Sequence, residues 1–362
     1  MNEVPGAKRC WKRSVGVSLI FVGGALAFFA HGRMAAKAAL PRPAPASAAA
    51  SPFIETHAHL DQKDTSGSIQ AALKAMPSEN AARIIFLPSP FTPDDPTRFD
   101  YDLLAAAEKD HPGKFAYLGG GGTLNVMIQQ AMHSKNDGTE IQKKFKEEAE
   151  KIANSGASGF GEMTAEHFAT TPGSYYEYAP ADHPLFLILA DVSAEHGGMP
   201  IDLHMEAVTK PMPLPAGQKS PPNPERLHDN IAAFERLLAH NPKAVILWAH
   251  EGWDNTGDRT AELSRRLLQA HPNLYMEIKV DPGEVGKNSP LTNGGSGALK
   301  PEWLKLFQDF PDRFVIGSDQ HYPEPQNGPQ RWESAVLLFN QLPADVRQKI
   351  GIDNPKRLFH LK

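Results

Sequence analysis

From residue 53 to the C-terminus, short apolar runs alternate with longer stretches whose apolar residues recur near every 3.6 positions. The short runs predict strands at 53–57, 83–87, 115–119, 157–162, 200–204, 244–250, 274–279 and 313–319. The longer stretches predict helices at 69–76, 101–109, 141–153, 185–196, 226–240, 260–270 and 300–310. His111-Pro112-Gly113, Asn154-Ser155-Gly156, Gly197-Gly198, Asn241-Pro242, His271-Pro272 and Pro311 each stop a helix and set up the next strand. Strands that alternate with helices call for a parallel sheet. Eight such units over about 310 residues suit an α/β fold of the (β/α)8 TIM-barrel type. A doubly wound open sheet is the alternative.

Several stretches depart from the repeat. Residues 163–183, with Tyr175-Tyr176 and Pro180, follow the fourth strand, and the Pro- and Lys-rich residues 208–224 follow the fifth. Loops that leave strand C-termini ring the mouth of a barrel, so both are candidate substrate walls. Gly119 to Gly122 are four glycines after the third strand. They lack the P-loop lysine and the G-x-G-x-x-G spacing, and read as a turn that leaves room at the mouth. The closing run from Ile352 to Phe359 predicts a last helix on the barrel exterior.

Residues 1–50 follow another pattern. Lys8, Arg9, Lys12 and Arg13 form a basic patch ahead of the uncharged apolar run 15–30. That run is slightly long for the apolar core of an export signal and short of the roughly 20 residues a membrane span needs. Ala36-Lys37-Ala38 fits an A-x-A cleavage pattern, and residues 41–52 form a Pro/Ala/Ser tether with nothing to pack. The expectation is an export signal, cleaved or retained as an N-terminal anchor. It would place the body (residues 51–362) in the periplasm or attach it to the membrane by this segment alone.

Charge narrows the class of partner. The chain carries 37 basic and 42 acidic residues. Seven of the basic residues but only Glu3 of the acidic ones precede residue 51, which leaves the body at −11. A body that acidic is a poor binder of nucleic acid. The single cysteine, Cys10, lies in the N-terminal segment. The body therefore has no disulfide, thiolate metal site or cysteine nucleophile, and any metal must be held by His, Asp and Glu.

The informative polar residues sit at strand ends. His57 and His59 alternate along the first strand and so share a face. The fourth strand ends in Glu162, the fifth in His204, the sixth in His250 and the eighth in Asp319. In a barrel these ends meet at one mouth, so six metal-binding side chains from five strands converge. Neutral imidazoles and carboxylates with an open position bind zinc or a similar divalent ion.

This set resembles the amidohydrolase superfamily, and within it the amidohydrolase-related (amidohydrolase 2) proteins, over about residues 53–362. The resemblance is carried by Thr56-His57-Ala58-His59, His204, His250, Gly317-Ser318-Asp319 and the closing Asp353-Asn354-Pro355-Lys356-Arg357-Leu358-Phe359. It implies that His57 and His59 bind the more buried ion. His204 and His250 would bind a second ion; in mononuclear members His204 completes the first site and His250 contacts substrate. Asp319 would hold the catalytic water and move its proton. Gly159-Phe160-Gly161-Glu162 looks like the strand-four Gly-Glu of the TatD-type hydrolases, which implies a pair of ions bridged by Glu162. Glu55 stands where many relatives carry Asp, and is expected to contact the neighbouring strand.

The chemistry expected is hydrolysis of an ester, lactone or amide bond of a small molecule by a metal-activated water. The alternatives are a TatD-like phosphoesterase or nuclease, a mononuclear decarboxylase, and a non-catalytic binding barrel at the cell envelope. Glu206, Glu251, Gln320-His321-Tyr322 and Asp202 are candidate supports for the ligands. Lys279, Asp281, His167 and Trp253 are candidate substrate contacts, and Trp248 reads as barrel wall. The oligomeric state is left open.

Overall fold

The computed structural model describes residues 51–95, 98–170, 175–280, 289–293, 296–323 and 330–362. The N-terminal segment and Asp281 lie outside these residues. The eight expected strands are present: β1 (Phe53–Leu60), β2 (Ala81–Phe86), β3 (Phe115–Tyr117), β4 (Phe160–His167), β5 (Pro200–Met205), β6 (Val245–Glu251), β7 (Leu274–Ile278) and β8 (Phe314–Ile316). Neighbouring strands run parallel and form two sheets. One has the order Gln320–Tyr322, β1, β2, β3, and the other runs β8, β7, β6, β5, β4, Gly119–Gly120. The sheets share chain at both junctions. β3 belongs to the first and passes at once into Gly119–Gly120 of the second; β8 belongs to the second and passes into Gln320–Tyr322 of the first. The result is a TIM-barrel ring of eight parallel strands with two covalent seams.

Both seams are fastened by short-range contacts. At one, Leu118 N–H donates to Phe86 O (2.8 Å) and Gly119 N–H to Gly159 O (3.2 Å). A Cβ on Gly121 would stand 2.4 Å from Pro88 O, and one on Gly122 1.8 Å from Phe99 O. The glycine run therefore admits neighbouring backbone; it does not leave room at the mouth as expected. At the other seam the buried Glu55 carboxylate accepts from His57 N–H (3.0 Å) and Ser318 N–H (2.8 Å), the cross-strand role expected of it.

Helices cover the outside: α1 (Thr65–Glu79), α2 (Asp102–Asp110), α3 (Leu124–Ser134), α4 (Thr139–Ala153), α5 (Pro184–Glu195), α6 (Ile231–His240), α7 (Ala261–Ala270) and α8 (Pro301–Asp309). Each turns an apolar stripe inward, as α4 does with Phe145, Ala149 and Ile152. With helices on one side and a filled interior on the other, all eight residues of β1 are buried. Among the described residues no helix is long and apolar enough to cross a membrane.

Four features differ from expectation. α3 is an additional helix between β3 and β4. β4 continues past Glu162 to His167, where it pairs antiparallel with Glu177–Tyr178. Residues 226–227 do not begin α6; Arg226–Leu227 pairs with Met212–Pro213, inside the excursion after β5. The C-terminal segment, after α9 (Arg331–Phe339) and α10 (Ala344–Gln348), forms α11 (Asn354–Leu358). It does not lie on the barrel exterior: Leu358 and Phe359 cluster with Ile54, Ile85, Ala116, Leu247 and Val315 from five barrel strands. Asn354 ties this plug to β8 by donating to Phe314 O (2.7 Å).

Candidate metal centre

Glu162 is the middle of the site. The register between β4 and β5 slips between Phe160 and Met163, the kind of bulge that re-aims a side chain, and Glu162 lies within it. Its Oε2 stands 3.5 Å from His57 Nε2 and 3.7 Å from His59 Nε2. Its Oε1 stands 2.9 Å from His204 Nδ1 and 3.2 Å from His250 Nε2. One carboxylate thus faces two histidine pairs, one pair per oxygen. The ligand atoms of His57, His59 and Glu162 lie within 4.8 Å of one another, as do those of Glu162, His204 and His250. Asp319 closes the first group: its Oδ1 is 3.1 Å from His59 Nε2 and 4.0 Å from His57 Nε2. All six side chains expected from the sequence meet at this mouth.

The tautomers fit a cation. His59 Nδ1 faces the carbonyl of Leu87 at 3.0 Å. A carbonyl only accepts, so Nδ1 carries the hydrogen and Nε2 presents its lone pair to Glu162 and Asp319. His57 Nδ1 likewise faces Glu277 Oε1 at 2.8 Å and Asp202 Oδ2 at 3.3 Å, which turns Nε2 toward the same carboxylates. Both ring nitrogens of His57 are buried and neither makes a well-aligned hydrogen bond, Nδ1 lying at ion-pair distance from Glu277 and Asp202. A bare lone pair aimed at carboxylates from a buried position would be repelled, so positive charge belongs between them: a proton on His57, whose pKa is raised against burial by Glu277, Asp202 and Glu162, or a divalent ion in its place.

The field around the site is strongly shaped. Burial works against charge on Glu162, but His57, His204 and His250 outweigh it and hold the carboxyl well below its usual range. Burial is likewise overcome at Asp319, where Lys279 and Arg331 keep the carboxylate ionised. His59 is pushed down to about 4, by burial first and then by His321. His250 and Asp319 hold φ values of 66° and 56°, left-handed conformations that non-glycine residues adopt at a cost and that cluster at functional sites. Gly317, two residues before Asp319, is also constrained. A Cβ there would stand 2.3 Å from Glu277 Cδ and 2.6 Å from His57 Cβ.

The centre opens into a cavity of about 480 Å³. The excursion after β4 lines it through His167, Thr170, Tyr175 and Glu177, whereas no residue of 208–224 does, so the excursion after β5 backs that wall and is not the substrate wall expected of it. The two excursions pack together through Phe168, Val208 and Leu227. Asn230 joins them by donating to Glu166 Oε2 (2.7 Å) and accepting from Val208 N–H (3.0 Å). His167, Trp253 and Lys279 line the cavity, as expected of substrate contacts. Glu206 also lines it, 3.9 Å from His204 Nε2. Asp202 serves His57 and not its neighbour His204. Glu251 turns away and accepts from Ser264 (2.7 Å), while Tyr322 donates to Glu79. Trp248 is core, its indole N–H donating to Met205 O (2.9 Å).

Three residues had no place in the sequence expectations. Glu277 orients His57, Glu177 lines the cavity, and Arg331 holds Asp319 from α9. Glu277 had a signal: it is a carboxylate inside the apolar run Leu274-Tyr275-Met276-Glu277-Ile278 and is wholly buried. Arg331 had none, because it reaches the site from a helix after the last strand.

The family model described as Amidohydrolase matches residues 142–361. No curated protein matches the chain. Among solved structures, the apo form of an Agrobacterium tumefaciens protein is 15% identical, with a TM-score of 0.47 over 86% of this chain and 96% of that one. Amidohydrolase 2 from Bifidobacterium longum subsp. infantis is 12% identical, with a TM-score of 0.45 over 86% of this chain and 99% of that one.

Proposed function

The chain belongs to the amidohydrolase family, and from that premise we propose that it is a metal-dependent hydrolase of a small carbonyl compound in which His57, His59 and Asp319 would hold one divalent ion, His204 and His250 a second, and Glu162 would serve both. The observation that carries this reading is the one carboxylate facing two histidine pairs, His57 with His59 and His204 with His250. Asp319 is the further ligand of the first pair. The all-nitrogen-and-oxygen ligand set with histidine predominant favours zinc. When bound, the ions supply an acidified water and a positive field for a carbonyl oxygen.

The chain's own residues do the rest. Asp319 accepts the proton of the attacking water and returns it to the leaving group of an ester, lactone or amide. Lys279 and Arg331 hold its Oδ2 at 2.6 and 2.5 Å, which keeps the carboxylate ionised and Oδ1 turned to the reacting centre. Glu277 and Asp202 fix the ring of His57. His250 borders the cavity beside Trp253, within reach of a bound carbonyl. Residues 1–50 are read as the segment that exports or anchors this body.

Metal analysis of the purified protein tests the reading. Wild type is expected to retain two zinc ions per chain and Glu162→Ala at most one. One ion in both proteins would overturn the bridged pair.

A further inference from the structure

The wall of the cavity beside Asp319 differs from the rest of the lining. Lys279, 2% exposed, and Arg331 converge on the Oδ2 atom of one carboxylate, at 2.6 and 2.5 Å. The Lys279 ammonium also lies 3.6 Å from the ring centroid of Trp253, so the indole fixes its height in the wall. His321 completes this side, its Nε2 3.4 Å from Asp319 Oδ1. The carboxyl groups of Glu177 and Glu206 line the same cavity. The lining also carries Asp95, Glu162 and Asp319, so the cavity as a whole is not basic; what sets this wall apart is that two cations face a single carboxylate next to the proposed reaction centre.

We infer that the substrate carries a carboxylate, and that this group seats against Lys279 and Arg331 while the bond to be cleaved lies over Glu162. The inference rests on the proposed reading of the cavity as a substrate chamber and deepens it by naming the substrate class. Arginine and lysine together suit a carboxylate, which takes charge-assisted hydrogen bonds from both. A phosphate dianion fits less well, because the Glu162 and Glu206 carboxylates border the same space and repel a second negative charge. Lys279 and Arg331 then act twice: they hold Asp319, and they anchor the acid end of the substrate.

The test uses probes of similar size that differ in charge. Titration calorimetry on the zinc-loaded full chain compares butyrate, butyramide and methyl phosphate. Butyrate is expected to bind on the order of tenfold more tightly than butyramide, and more tightly than methyl phosphate. Arg331→Gln and Lys279→Gln are each expected to remove most of the preference for butyrate over butyramide when compared at wild-type zinc occupancy, restored by added zinc because both residues also hold Asp319. Equal affinity for butyrate and butyramide would overturn the inference. So would tighter binding of methyl phosphate. Butyrate binding that vanishes with chelation of zinc but survives both substitutions would also overturn it, because the metal alone would then hold the acid. Zinc stoichiometry, read separately, reports on the hydrolase reading itself: a butyrate preference that persists in protein holding no zinc would leave the anchor standing while that reading fell.

Discussion

His57 shows how much of the site one residue can depend on. Its Nε2 serves the proposed ion only while Nδ1 keeps its hydrogen, and Glu277 and Asp202 enforce that. Glu277 is itself fixed by Thr56 Oγ1, which donates to its Oε2 (2.9 Å). Glu277→Gln keeps the size but removes the charge facing the ring. Outer partners of this kind change metal affinity by about 10- to 100-fold, so zinc competition with a chromophoric chelator is expected to show a loss in that range while the thermal transition persists. Gly317→Ala acts on the same knot by crowding it. With the Glu277 carboxyl and the His57 Cβ in the way, overpacking of about 1–3 kcal/mol is expected, read as a lowered denaturation midpoint. The six ligand residues were legible in the sequence because each stands at or near a strand end and a barrel gathers those ends. Glu277 and Arg331 were not, because their role exists only in relation to the side chains they hold.

At the scale of elements, α3 and β4 explain why the pattern misled. The inward face of α3 includes Asn125 and Gln129 among its apolar residues. Their polarity interrupts the stripe that marks a helix, yet both are buried for a reason. Asn125 Oδ1 accepts from Thr164 N–H (2.9 Å), and Gln129 donates to Thr164 O (3.1 Å). The helix satisfies backbone of the β4 extension, which carries His167 to the cavity and Glu166 to Asn230 and Tyr176. Asn125→Leu would strand the Thr164 N–H, and an unpaired buried donor costs about 1–3 kcal/mol. Chemical denaturation is expected to show that loss, and hydrogen exchange is expected to quicken at Thr164 first. The C-terminal plug misled in the same way. Its apolar residues were visible, but a sequence does not say whether an apolar helix covers the outside of a barrel or fills its end.

The whole molecule was the most legible level, because the ring follows from eight alternations of strand and helix and the seams alter only how that ring is hydrogen-bonded. Closure joins the first helix to the last strand segment. Tyr322, the last residue of the Gln320–Tyr322 segment, donates to Glu79 Oε1 (2.5 Å) at the end of α1. Glu79 is 1% exposed and Tyr322 3%. Burial pushes the Glu79 carboxyl up to about 7, with the tyrosine hydroxyl opposing only in part. The ordinary value is 4.5, so between 4.5 and about 7 the folded protein holds a proton there that the unfolded chain releases. The favourable contribution is therefore complete below pH 4.5 and is lost as pH rises through 7. Over that window the linkage is worth at most about 3 kcal/mol. Glu79→Gln fixes the group in its neutral, hydrogen-bonding form. The stability difference between variant and wild type, measured by urea denaturation at pH 5, 6, 7 and 8, is expected to shift in favour of the variant with each step and to flatten above 7. A difference that stayed constant across the series would mean that Glu79 is ionised in the fold, and that the seam is held by a charged hydrogen bond.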